Sequence, residues 1–389
     1  MEQKSVCWHG ILFLFLLVVT GSAAVFAVLT PLFLLVSLSR IFLNTRNPIF
    51  RKIYDLYRQA SHTVQWMWMG LVVMLIKNLF QTQFLFFGDE STKENEKKMK
   101  SERAFWLSNH RTRIDWMLLW SLAFEIGILG QLKIVLKDTL RKIPVFGWAM
   151  QHFLFIFLRR NWDEDKKQLS SLLPFLGSYE SDSSYLFFPE GSDLSERNVE
   201  KSNAFAKSRN LEPRKYTLHP RTNGFTFIFD KVHSKLDALY DITMLYIDHT
   251  NGERPSEVSL LSGRMPRAVY FYIERVPLDS LESEIGNNER MSTSIESKFQ
   301  RKESILKTFY EEAHQLPKDA KPLFNEVTSS KSWLVLSHWA GIIVFSWILL
   351  IIAGRHIALM YTMGVSIAYI LSTSFFNGAD GAIIRMHQE

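Results

Sequence analysis

Cysteine is nearly absent: the 389 residues include one, Cys7, at the edge of an apolar run. An intrachain disulfide framework is therefore excluded, and the chain tolerates a reducing compartment. No Asn-x-Ser/Thr sequon occurs, in agreement with a middle segment kept out of glycosylating compartments. No Gly-x-Ser-x-Gly elbow occurs either, and the lone cysteine lies far from the polar motifs, so neither familiar protein nucleophile is on offer. Internal repeats and low-complexity tracts are missing as well. No nucleic-acid motif accompanies the net charge of +6 and the pI near 9.2, and an anionic membrane leaflet attracts the same charge.

Charge itself is missing over three long stretches. A bilayer core about 30 Å thick needs roughly 20 helical residues. Ile11–Leu38, 28 residues without a charged side chain, is long enough to span or to form a bent hairpin. Gly21 and Pro31 within it permit a kink or a re-entrant turn. A secretory signal peptide is the rival reading, with Ala23-Ala24 imitating a cleavage site, but its apolar region is typically only about 7 to 15 residues. The following loop sets Arg40, Arg46, Arg51, Lys52 and Arg58 against Asp55 and falls on the cytoplasmic side by the positive-inside rule. Val64–Ile76 is too short before Lys77 for a comfortable span and predicts an interfacial helix, which leaves the next region cytosolic. If that stretch spans, the next region is lumenal. Trp333–Ala353 and Ile357–Phe376, separated by Gly354-Arg355-His356, predict an antiparallel pair with Lys331 and Arg385 on one side.

Between about residues 81 and 280, short apolar strands alternate with amphipathic helices, the pattern of an α/β layered domain. Ala104–Leu107 and Tyr185–Phe188 have strand length, and each delivers a polar motif at its C-terminal end, where open α/β sheets form their sites. Asp115–Phe124 reads as a buried helix whose first carboxylate meets the positive end of the dipole. Val269, Phe271 and Ile273 alternate with Tyr270, Tyr272 and Glu274 as a late strand. Residues 279–294, rich in Ser, Glu and Asn, read as a linker. Ile295, Phe299, Leu306, Phe309, Tyr310 and Ala313 then mark one face of an amphipathic helix. The expected organisation is 1–80 membrane anchor and interfacial helix, 81–280 catalytic domain, 281–330 linker and amphipathic helix, and 331–389 transmembrane hairpin.

Two motifs carry chemistry. Asn109-His110-Arg111-Thr112-Arg113-Ile114-Asp115 follows the first strand, and Phe188-Pro189-Glu190-Gly191-Ser192 closes the second. A carboxylate five residues after a histidine can hold the imidazole in the tautomer and orientation that accepts a proton. This is the base and orienter of a hydrolase triad without its nucleophile.

The paired motifs closely resemble the boxes of the glycerolipid (1-acylglycerol-3-phosphate-type) acyltransferase family. Val145-Phe146-Gly147-Trp148-Ala149-Met150-Gln151, Ser202-Asn203-Ala204-Phe205-Ala206 and Leu218-His219-Pro220-Arg221-Thr222 add a resemblance to its lysocardiolipin acyltransferase branch, over about residues 100 to 280. The resemblance implies an acyltransferase-type layered domain with a mixed sheet flanked by helices, besides the N-terminal and C-terminal membrane helices. It implies transfer of a fatty acyl group from acyl-CoA, a co-substrate rather than a bound cofactor, to the free hydroxyl of an anionic lysophospholipid. Lysophosphatidylinositol, lysocardiolipin and lysophosphatidic acid are the candidates. His110 would act as general base and Asp115 would orient it. Asn109, Arg160, Glu190 and Gly191 are the expected substrate-binding residues, with Arg160 on the acceptor's phosphate. Backbone amides near Gly191 are positional candidates for an oxyanion. Lys133, Lys137, Arg141 and Lys142 would suit coenzyme A phosphates or a face toward anionic lipid. Ser192 stands where the family usually has Thr. The apolar segment Tyr240–Tyr246 lacks the family's proline and receives no function, and His219 with Arg221 reads as structural. No metal, protein partner or nucleic acid is expected. The location implied is the endoplasmic reticulum membrane, multi-pass with a cytosolic catalytic domain, or a mitochondria-associated membrane. The rival functions are a CoA-independent phospholipid transacylase and a non-catalytic membrane-shaping scaffold.

Overall fold

The computed structural model describes residues 6–324 and 329–388. Its strands are β1 (Gln83–Gly88), β2 (Ala104–Ser108), β3 (Leu132–Lys137), β4 (Ile156–Leu158), β5 (Ser184–Phe187), β6 (Ala238–Ile247), β7 (Ala268–Pro277) and β8 (Lys321–Pro322). The chain forms two compact units. One consists of residues 1–11, 73–128 and 180–327; the other of 12–72, 129–179 and 328–389.

The first unit is built on a mixed sheet. β2 runs parallel to β5 and to β6, β6 pairs antiparallel with β7 from Ala238↔Pro277 to Ile247↔Ala268, and β1 is parallel to β7 and antiparallel to β8. β2 and β5 are wholly buried and β6 almost so. Strands covered on both faces read as near-continuous apolar runs, which is why these segments stand out in the sequence. Phe225 and Phe229 of the helix Thr222–Val232 meet the Phe105 ring edge-on at 5.1 and 5.5 Å. Ile305, Leu306 and Phe309 of the helix Asn288–Glu311 pack on Leu245 of β6 and Tyr272 of β7. That helix begins inside the expected linker. The Asn287 side chain caps it by accepting the Arg290 N–H, so the Ser/Glu/Asn-rich stretch after residue 287 is a solvated helix face rather than a loop. Ala313, expected on its apolar face, lies beyond its end and is exposed. The helix Asp115–Ile126 starts where expected and stops at Gly127, whose φ of 88° forms a left-handed C-terminal cap.

The second unit is mainly helical, with β3 and β4 as a parallel pair. Trp8–Phe42 is one continuous helical run with a π-helical segment at Ala24–Leu29, so the apolar run forms no hairpin. It and Trp333–Phe375 are long and apolar enough to cross a membrane. In the latter the break falls at Gly354 alone, at φ 73°, ψ 155°, and Arg355 and His356 are helical. The side chain of Lys331 and residues 325–328 of the expected linker lie outside the described residues. Val64–Ile76 is the end of the 32-residue helix Pro48–Leu79, and Val64, Met67, Met69, Val72 and Ile76 are buried. Its apolar residues are covered by protein, which leaves no free apolar face for an interfacial role.

Two of the four cations read as a coenzyme A or anionic-lipid face are also internal. Lys133 donates to the Phe153 carbonyl at 2.9 Å, and Arg141 pairs with Asp380 at 2.7 Å; both are buried, while Lys137 and Lys142 are exposed. The Val145–Gln151 box is structural here. A Cβ on Gly147 would lie 2.2 Å from the Arg141 carbonyl oxygen, and Trp148 stacks on Tyr369 at 4.8 Å. Gln151 donates to Thr373 Oγ1 at 3.0 Å.

A buried ion pair ties helix to sheet in the first unit. Lys302 Nζ lies 2.7 Å from Asp241 Oδ1 and donates to the Ile242 carbonyl at 2.6 Å. Burial pushes the Lys302 ammonium below its ordinary pKa, against the pull of Asp241. Lys302→Met strands the Asp241 charge and is expected to cost about 3–5 kcal/mol, much of it regained in Asp241→Leu/Lys302→Met. Unfolding of the detergent-solubilised variants checks both.

Candidate active site

All site residues described next belong to the first unit except Arg160. β2 ends at Ser108, in register with Ile242 of β6, and the chain turns at once into the His110 loop. Asn109 pins that turn. Its Oδ1 accepts the Met244 N–H at 2.7 Å and its Nδ2 donates to the Met244 carbonyl at 3.1 Å. The buried amide is thus committed to β6 and not directed at a ligand.

The loop closes on Asp115. His110 Nδ1 lies 3.0 Å from Asp115 Oδ2, which also accepts the Thr112 N–H at 2.9 Å. The other oxygen accepts Thr112 Oγ1–H at 2.8 Å and the Tyr246 hydroxyl at 2.6 Å. Four donors therefore meet a carboxylate of zero side-chain exposure, as a buried charge requires. Asp115 is the first residue of its helix, where the dipole adds to this. With Nδ1–H directed at the carboxylate, Nε2 carries the lone pair. Nε2 has no hydrogen-bond partner among the described residues, and the imidazole side chain is 16% exposed. The arrangement is a proton acceptor held at fixed orientation and open to a ligand.

The second motif supports the histidine from beside and behind. The Phe188 ring stacks on the imidazole with centroids 4.4 Å apart. Glu190 is buried, and its two oxygens accept the backbone N–H of His110 at 2.7 Å and of Leu218 at 2.8 Å. Burial pushes the Glu190 pKa up to about 8, against the downward pull of those N–H groups; nearby Asp115 pushes in the same direction as burial. Glu190 is thus a brace joining two loops. Gly191 N–H donates to the Phe188 carbonyl at 3.0 Å, closing a turn with Pro189 at its second position. Gly191 then takes φ 66°, where a side chain is strained. Its amide is therefore already committed and is no free oxyanion donor.

The remaining boxes brace the same loops. Ser202 Oγ accepts the His219 N–H at 2.9 Å, and Asn203 exchanges hydrogen bonds with the Arg214 backbone at 2.9 Å each way. His219 lies between Glu296, at 3.2 Å, and the Glu212 carbonyl, at 3.1 Å, so it is structural as expected. Arg111 forms a bidentate pair with Asp248 at 2.6 and 2.8 Å and lies over the Tyr246 and Tyr310 rings.

Arg160 belongs to the second unit. It has φ 66°, its backbone N–H donates to Asp165 Oδ2 at 2.9 Å, and its side chain is exposed. The structure thus brings together His110, Asp115, Asn109, Glu190 and Gly191. Tyr246 joins them without a role having been expected for it, and the Phe188 ring joins them from within the second motif. Tyr246 ends the segment left without a function, and its hydroxyl is one of three in that strand, beside those of Tyr240 and Thr243.

A histidine held by a buried carboxylate, at the strand ends of a mixed α/β sheet, has the geometry of a proton acceptor for an external nucleophile. The family model described as Acyltransferase matches residues 90–246, ending on Tyr246, and the chain belongs to this family. Lysocardiolipin acyltransferase 1 of Mus musculus is 35% identical over 257 residues, 66% of this chain and 65% of the relative. Its namesake in Danio rerio is 34% identical over 313 residues, 80% and 72% of the two chains. Lysophosphatidylinositol acyltransferase 10 of Caenorhabditis elegans is 30% identical over 343 residues, 83% and 82%. The chain thus falls in the lysocardiolipin acyltransferase branch and spans 65% of the length of the mouse relative.

Tyr246→Phe removes one donor from a buried carboxylate, a loss of about 1.5–3 kcal/mol. If the loss falls on the orientation of the imidazole, turnover drops by roughly 10-fold to 100-fold. Steady-state turnover, measured beside an unchanged elution profile in detergent, checks it.

Proposed function

We propose that the chain transfers a fatty acyl group from acyl-CoA to the free hydroxyl of an anionic lysophospholipid. The observation that carries this reading is the His110 imidazole, held by Asp115 through Nδ1 with Nε2 facing outward. A lipid hydroxyl is a weak nucleophile at neutral pH. As its oxygen attacks the thioester carbonyl, Nε2 takes its proton, and the resulting imidazolium is stabilised by Asp115. The departing thiolate recovers that proton when the tetrahedral intermediate collapses. A positioned base of this kind contributes about 10²- to 10⁴-fold. The thioester is already activated, so no acyl-enzyme is required.

Relatives named for lysocardiolipin, lysophosphatidylinositol and 1-acyl-sn-glycerol-3-phosphate support an anionic acceptor. The two long apolar helices support a membrane-embedded enzyme that receives its acceptor from the bilayer. We place it in the endoplasmic reticulum membrane with the His110 site toward the cytosol, which is also the side of acyl-CoA. Arg160 is retained as a proposed contact to the acceptor's phosphate.

His110→Ala is expected to abolish acyl-CoA-dependent esterification of lysophospholipids while the protein still sediments with membranes. Wild-type purified enzyme given phospholipid and lysophospholipid without any CoA species is expected to be inactive. Full turnover in His110→Ala contradicts the mechanism, and transfer without CoA species establishes a transacylase instead.

A further inference from the structure

Arg221 follows His219 in a motif that reads as structural, yet the two residues have different settings. His219 is buried and paired, whereas Arg221 is exposed. No hydrogen bond or ion pair of its guanidinium occurs among the described residues. Among the other arginines around the site, Arg111 pairs with Asp248, Arg214 with Glu296, and Arg113 with Glu257 at 3.5 Å, while Arg254 stands near Arg111, Asp193 and Asp248.

The backbone of Arg221 is fixed to the second motif. Its N–H donates to the Pro189 carbonyl at 2.7 Å, one residue before the Glu190 that holds the His110 amide. The stem of its side chain passes over Gly191, where an added Cβ would sit 3.7 Å from Arg221 Cδ. The turn supplies no cation itself. Two residues after Gly191 stands Asp193, whose carbonyl accepts from Asn198 at 2.9 Å. Arg221 thus brings an unneutralised, always-charged fork to the turn whose Phe188 ring lies on the imidazole.

We propose that Arg221 is a specificity-determining residue whose guanidinium holds the phosphate of the acceptor lipid while the neighbouring hydroxyl reaches His110 Nε2. This rests on the proposed lysophospholipid acyltransferase activity. In a lysophospholipid with a free central hydroxyl, the phosphate hangs from the adjacent glycerol carbon, so base and phosphate-binding cation must lie close together. A guanidinium meets phosphate oxygens with two parallel hydrogen bonds, which fixes orientation as well as charge. Arg221 would act in addition to any contribution from Arg160.

The test compares wild type, Arg221→Ala and Arg221→Lys in detergent micelles, with a lysophospholipid or an uncharged monoacylglycerol as acceptor and one acyl-CoA as donor. Arg221→Ala is expected to raise KM for the lysophospholipid by about 10-fold or more. The KM for acyl-CoA should stay unchanged, and the preference for lysophospholipid over monoacylglycerol should fall by a similar factor. Arg221→Lys, which keeps the charge without the fork, should recover part of it. An unchanged acceptor preference in Arg221→Ala overturns the assignment, and so does a change confined to the KM for acyl-CoA, which would place a coenzyme A phosphate there. Wild type inactive on every lysophospholipid removes the underlying activity and this assignment with it. Wild type active with Arg221→Ala indistinguishable removes this assignment alone.

Discussion

The buried carboxylate of Asp115 is the point on which the site depends. A charge without solvent is costly unless donors surround it. Here the four donors come from the His110 ring, from the backbone and side chain of Thr112, and from Tyr246 at the end of β6. Loop, helix start and central strand must all be in place before the imidazole points outward. The β2–β6 register, with Ser108 opposite Ile242, and the Asn109 clamp on Met244 are what bring Tyr246 to the carboxylate.

Most of the other motifs around the site serve this point indirectly. Glu190 joins the His110 loop to the Leu218 loop, Ser202 and Asn203 hold the segment between Arg214 and His219, and Gly191 allows the turn that seats Phe188 against the imidazole. The proposed chemistry rests on one nitrogen, His110 Nε2, and several buried polar groups fix its direction. Loops that carry a base gain their precision from such braces because they lack the ladder of a strand or helix.

The pair itself was legible from sequence. A helix beginning at Asp115 and a strand read to Leu107, one residue short of its observed end, are local features, and a spacing of five residues between His110 and Asp115 bridges the short loop between them. Tyr246 was not legible, because it meets Asp115 across 131 residues through strand register. Nor was the commitment of Asn109 to β6, since a polar side chain beside a base looks the same in sequence whether it faces substrate or backbone. Lys133 and Arg141 looked like surface cations, yet each is buried with its own partner, a carbonyl and the Asp380 carboxylate. Val64–Ile76 shows the same limit for apolar residues: hydrophobicity announced burial, but core and lipid are equally apolar coverings. The start of the helix at Asn288 was hidden by a composition that suits a loop and a solvated helix face equally well.

The proposed mechanism requires Asp115 to act through His110 as one unit. The most direct measurement is turnover of Asp115→Asn, His110→Ala and the double variant under saturating substrates. An asparagine keeps the shape but not the carboxylate that selects the tautomer, so each single change is expected to lower turnover by on the order of 10²- to 10⁴-fold. The double variant should then be no slower than the worse single one, as for residues that work as a unit. Losses that multiply in the double variant, or an Asp115→Asn enzyme with near wild-type turnover, would contradict it.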